Sequence, residues 1–109
     1  MIKSSIPLAA LAVVGLMVLE SGGAASAETI VRIANFTFDP PLITVQVGSK
    51  VTWKNDDDIV HVIEEKDGAF RSDALDTDGT FSRTFDRVGT IDYFCAIHPH
   101  MTGRIVVRP

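Results

Sequence analysis

From residue 28 onward, apolar and polar positions alternate along the chain. Over residues 42–47, Ile43, Val45 and Val47 fall on one side and Thr44 and Gln46 on the other; over 50–55, Val51 and Trp53 alternate with Thr52 and Lys54. Near the C-terminus Ile91, Tyr93 and Cys95 share a face, and Ile105 and Val107 lie opposite Val106. A period of two marks a β-strand with one buried face. Strands are predicted over 29–38, 42–47, 50–55, 59–63, 80–86, 90–95 and 104–108, with Gly, Pro, Asp and Asn as the breakers between them. The stretch 59–63 differs in being apolar on both faces, with His61 set among Val60, Val62 and Ile63. Residues 69–79 lose the period and are predicted to form a loop with one short turn of helix. The Asn35-Phe36-Thr37 sequon falls inside the first predicted strand and carries no expectation. About seven short strands without a convincing helix predict an all-β chain, a Greek-key β-sandwich of antiparallel strands.

The first 27 residues do not fit that pattern. Lys3 precedes an apolar run from Ile6 to Leu19, and Ala25-Ser26-Ala27 is a small-x-small cleavage site. This is the layout of a secretory signal peptide, so residues 1–27 are expected to be removed and residues 28–109 to form one exported, periplasmic domain. The rival, an uncleaved anchor, fits less well because the apolar run is short of the roughly 20 residues a spanning helix needs. The mature chain is therefore expected to have no stable membrane insertion.

Removing residues 1–27 takes away Lys3 and Glu20 and leaves 82 residues with 9 basic and 13 acidic side chains. No basic stripe exists to meet phosphates, which argues against nucleic acid; the expected partners are other proteins, basic ones among them, met by a monomer. The acidic run Asp56-Asp57-Asp58, with Glu64, Glu65 and Asp67, could steer a basic partner. An exported chain with a single cysteine has no disulfide to staple it, and its thiol needs protection from oxidation. A metal ion would serve both needs.

The candidate site follows from that cysteine. Cys95, His98 and Met101 come at three-residue intervals where a predicted strand gives way to a tight loop, and His61 is an upstream imidazole. Each alone has a bland role: a core histidine, a core methionine, an inert buried thiol. Together, two His and one Cys with a weak axial Met are the donor set of an electron-transfer copper centre. The expectation is one type 1 copper ion held by His61, Cys95, His98 and Met101, with His100 at the surface. Asn55 is the candidate for tying the His61 loop to the Cys95 loop. Function then reads as one-electron carriage without substrate turnover, so no enzyme. The alternative is a periplasmic copper-binding and delivery protein that does not cycle its oxidation state, although a chain with one methionine in its mature part is not Met-rich. A metal-free sandwich and a cysteine hydrolase are weaker readings; no orienting group or oxyanion loop accompanies Cys95 and His98.

The motifs Phe36-Thr37-Phe38-Asp39-Pro40, Val51-Thr52-Trp53-Lys54-Asn55, Gly89-Thr90-Ile91-Asp92-Tyr93-Phe94-Cys95 and the segment from Cys95 to Gly103 resemble those of small type 1 (blue) copper proteins of the cupredoxin superfamily, the group of plastocyanin, pseudoazurin and amicyanin. Two residues between Cys and His and two between His and Met match the short ligand loop of amicyanin. The resemblance covers nearly all of residues 29–109. It implies His61, Cys95, His98 and Met101 as copper ligands, Asn55 as a brace, and electron shuttling between exported redox proteins. Val60 and Ile97 depart from it, standing where the family and amicyanin, respectively, carry proline, and His100 replaces an aromatic.

Overall fold

A computed structural model describes residues 28–109. The expected signal peptide, 1–27, lies outside the described residues. Eight strands follow in order: β1 (Glu28–Ala34), β2 (Thr37–Asp39), β3 (Leu42–Gln46), β4 (Ser49–Asn55), β5 (Ile63–Glu65), β6 (Thr80–Phe85), β7 (Gly89–Cys95) and β8 (Thr102–Arg108). They make two four-stranded sheets, β2-β1-β4-β6 and β3-β8-β7-β5. The all-β sandwich is as expected; the strand predicted over 59–63 is shifted to Ile63–Glu65, which leaves His61 outside it in an isolated bridge, and two further refinements concern the other strands.

The first predicted strand is two strands joined by a hairpin. Asn35 and Phe36 both adopt positive φ, 53° and 56°. Two consecutive left-handed residues are what a two-residue turn with the twist of its flanking strands requires. The sequon asparagine is thus at an exposed turn, not inside a strand. The second refinement concerns direction: β1 runs parallel to β4, and β3 parallel to β8, so the sheets are mixed. Residues 69–79 contain no helical turn; isolated bridges His61 to Leu75 and Glu64 to Arg71 lay the segment along the β5 strand and the residues before it. Among the described residues no helix is long and apolar enough to cross a membrane.

The core is the sum of the inward rows. Val31 and Ile33 of β1, Val51 and Trp53 of β4, Ile63 of β5, Cys95 of β7 and Ile105 of β8 are fully buried, and Phe38, Tyr93 and Val107 nearly so. Complete burial of side chains this size contributes about 1.5–3 kcal/mol each. Trp53 is at the centre: its ring meets Tyr93 edge-on at 5.3 Å, and Tyr93 meets Phe38 at 4.8 Å. These separations suit edge-to-face contact between aromatic quadrupoles.

Space for Tyr93 comes from Gly103, its register partner on β8. Gly103 is buried within a regular strand, and a Cβ there would land on the Tyr93 ring and hydroxyl. Gly103→Ala should lower stability by about 1–3 kcal/mol, as overpacking of a filled core does. Urea unfolding of the metal-free variant measures it.

The hydroxyl of Tyr93 is buried with no hydrogen-bond partner among the described residues. Burial outweighs the opposing influence of the Trp53 indole and pushes the phenol up to about 12. An unfolded tyrosine ionises near 10, so between about pH 10 and 12 the unfolded chain releases a proton that the folded chain keeps. Stability should be unaffected by this group below about pH 10 and should fall by up to about 2–3 kcal/mol as pH rises through that window. Because Tyr93 is the only tyrosine, alkaline spectrophotometric titration reads the shift directly, and Tyr93→Phe should remove this contribution to the decline.

Candidate metal centre

Several inward rows run out at one end of the sandwich, and polar or soft side chains replace the aliphatic ones there. On β4 the row Val51, Trp53 ends in Asn55; on β7 the row Ile91, Tyr93 ends in Cys95. On the neighbouring strand, Ile63 pairs with Cys95. His61, two residues earlier and outside β5, is held by its bridge to Leu75 with its imidazole facing the sulfur. His61 and Cys95 are both fully buried.

The loop after β7 turns back on the same point. Backbone N–H groups of His98 and Met101 donate to the carbonyls of Cys95 and His98 at 3.1 and 2.9 Å, and Cys95 N–H donates to the Met101 carbonyl at 3.1 Å. These bonds close the loop on itself. Ala96 N–H reaches across to the Val62 carbonyl at 2.9 Å, fastening the loop to the segment that carries His61.

Cys95 Sγ is 3.6 Å from His61 Nδ1 and 3.7 Å from His98 Nδ1. The three residues offer donor atoms that all lie within 4.8 Å of one another. Metal bonds to N and S of about 2.0–2.3 Å, set at trigonal angles, separate the donors by about 3.5–3.8 Å, so the spacing fits one small ion. Met101 follows on the loop, 3% exposed and part of the core cluster. His100 is exposed, as expected.

Asn55 is a brace of a different kind from the one expected. Its amide nitrogen donates to the carbonyls of Ile59 and Leu75, each at 2.8 Å, and its amide oxygen accepts from Asp57 N–H at 2.9 Å. It ties the approach to His61 to the strap at Leu75, and these bonds do not run to the Cys95 loop. Leu75 in turn exchanges both backbone hydrogen bonds with His61, at 3.1 and 2.8 Å. Every polar atom of this buried amide group is used, which is what burial of a polar side chain demands.

Two further residues at the site were not anticipated. Asp57 accepts a hydrogen bond from His61 Nε2–H at 2.9 Å and two more from the backbone N–H groups of Asn35 and Phe36, at 2.6 and 3.0 Å. Burial pushes its carboxyl up, but the Phe36 N–H, the His61 imidazole and the Asn35 N–H together hold it below the usual carboxylate range. An ionised carboxylate can only accept, so the proton of neutral His61 sits on Nε2 and the lone pair on Nδ1, the atom facing the sulfur. Phe36, at the tip of the β1–β2 hairpin, lays its ring edge-on to both imidazoles, 5.6 Å from His61 and 5.0 Å from His98. The only hint in the sequence was a charged run and an aromatic in an apparent strand.

Residues 25–108 match the family described as copper binding proteins, plastocyanin/azurin family. Amicyanin-alpha of Methylorubrum extorquens is 36% identical over 105 residues, covering 92% of this chain and 87% of that protein. Amicyanin of Paracoccus denitrificans is 33% identical over 89 residues, 77% of this chain and 68% of its own. Among solved structures, the reduced Cu(I) form of an amicyanin variant at pH 4 aligns with a TM-score of 0.71 at 30% identity, over 81% of this chain and 89% of that one. Donors that converge at one pole of a sandwich, and a match that takes in all of them, agree on one assignment: this chain belongs to the plastocyanin/azurin family of copper binding proteins.

Proposed function

We propose that His61, Cys95, His98 and Met101 hold a single type 1 copper ion, and that residues 28–109, exported to the periplasm after removal of residues 1–27, carry electrons one at a time between redox proteins. The observation that carries this reading is the convergence of one thiol and two imidazoles within 4.8 Å. Copper bound there supplies a one-electron couple between Cu(I) and Cu(II), for which mixed sulfur and nitrogen donors are suited. As a member of a blue copper family the chain is an electron carrier rather than an enzyme.

The protein's own part is to fix the donors and to open one route out. Cys95 and His61 are sealed from water. His98 is only half-buried, and Phe36 and Ile97 beside it are 44% and 46% exposed. With Pro99 they form a small apolar patch around one imidazole edge, a surface suited to brief docking of a partner through a small interface. Steering by the acidic loops has weaker support. Asp56 is paired with Arg32 at 3.0 Å, Glu64 with Arg71, and Asp57 and Glu65 are occupied by hydrogen bonds from their own surroundings.

Addition of Cu(II) to the metal-free chain should give an intense blue thiolate-to-copper absorption that Cys95→Ser abolishes. Reductant should bleach the band and oxidant restore it over repeated cycles. A copper site that forms but does not cycle would favour the delivery alternative. For docking, Ile97→Glu should slow electron transfer to a redox partner about tenfold, equivalent to about 1.4 kcal/mol, while the blue absorption is retained; stopped-flow rates measure it.

A further inference from the structure

The Asp57 carboxylate is shared by a candidate copper ligand and the hairpin tip that covers it. Its side chain is 12% exposed, and its three donors come from two separate segments: His61 four residues on, and Asn35 and Phe36 more than twenty residues back. We infer that Asp57 is a positioning residue that acts through His61: it fixes the Nε2–H tautomer, enriches the ring in electron density and thereby lowers the reduction potential of the copper centre, while its two backbone contacts hold Phe36 against both imidazoles. This rests on the copper reading above.

The direction follows from charge. A carboxylate accepting the outer N–H of a ligating imidazole raises the basicity of the inner nitrogen, and loss of such a partner typically changes metal affinity 10–100-fold. A more basic ligand and a fixed negative charge behind it favour the more highly charged ion, Cu(II). A merely structural Asp57 would hold the hairpin and leave the potential alone. Asparagine separates the two roles because its amide oxygen can still accept hydrogen bonds while the charge is gone.

In copper-loaded Asp57→Asn the blue absorption should remain, and the ratio of Cu(II) to Cu(I) affinity should fall at least tenfold, which is an upward shift of 59 mV in the one-electron midpoint potential. Asp58→Asn removes the same charge from the exposed neighbour and should give a clearly smaller shift. An unchanged potential in Asp57→Asn, or equal shifts in the two variants, overturns the inference. Should Asp57→Asn fail to fold, nitrogen-15 NMR of the unaltered metal-free protein decides. A slowly exchanging proton on His61 Nε2 supports the role of Asp57, and a proton on Nδ1 overturns it. A protein that never turns blue defeats the copper reading, and the tautomer measurement still judges the Asp57 contact separately.

Discussion

The pairing of Ile63 with Cys95 is the constraint on which the candidate site depends. It is one rung in the short ladder between β5 and β7, yet it fixes the height of His61 relative to the sulfur. A slip of one residue would turn Ile63 to the other face of β5, since the side-chain period is two, and would move His61 out of its place beside the sulfur. The register is protected because Ile63 and Tyr93 are both buried against the opposite sheet. Core packing thus specifies the separation of two donors distant in sequence, and the loop from Cys95 to Met101 adds the rest locally.

Burial performs a second task at the same pole. Cys95 has no disulfide partner, and its protection comes from position: it ends an inward row and is fully buried. The same seclusion lowers the local dielectric, so hydrogen bonds to His61 and Asn55 matter more there than they would at the surface. The polar residues of this end are therefore tied to one another or to backbone, as Asn55 and Asp57 illustrate.

Most strands were legible because alternation is a direct consequence of one buried face. The candidate donors drew notice because a lone cysteine spaced by threes from His and Met has few other uses, and the structure brings that cysteine together with His61 and His98. Strand direction was not, since parallel and antiparallel strands leave the same alternation; nothing in residues 42–46 says that they will run alongside 104–108. The β1–β2 hairpin was hidden by Phe36, an aromatic of high strand propensity placed in a left-handed turn where side chains are normally costly. Asp57 was hidden differently. Its partners are brought to it by tertiary structure, and in the sequence it is one of three identical residues. The role of Gly103 was hidden as well: nothing in the sequence says that its missing side chain makes room for a ring on the adjacent strand.

A redox centre must hold its donors still in both oxidation states, and prolines beside the ligands are one way to do so. This chain has Val60 and Ile97 where proline precedes the two histidines in the family and in amicyanin, keeps Pro99 after His98, and adds stiffness through hydrogen bonds. His61 is clamped through both its backbone groups by Leu75, which Asn55 grips in turn; Cys95, His98 and Met101 are linked in a closed backbone circuit. The candidate ligand with the least enclosure is His98. Its backbone belongs to that circuit, but its ring is half-exposed and has Phe36 against it at 5.0 Å. Phe36 is itself on a two-residue turn whose backbone N–H groups are both bound by Asp57. The most exposed donor is therefore restrained through a chain of contacts leading back to the carboxylate that also orients the most buried imidazole, so the two histidines share one support.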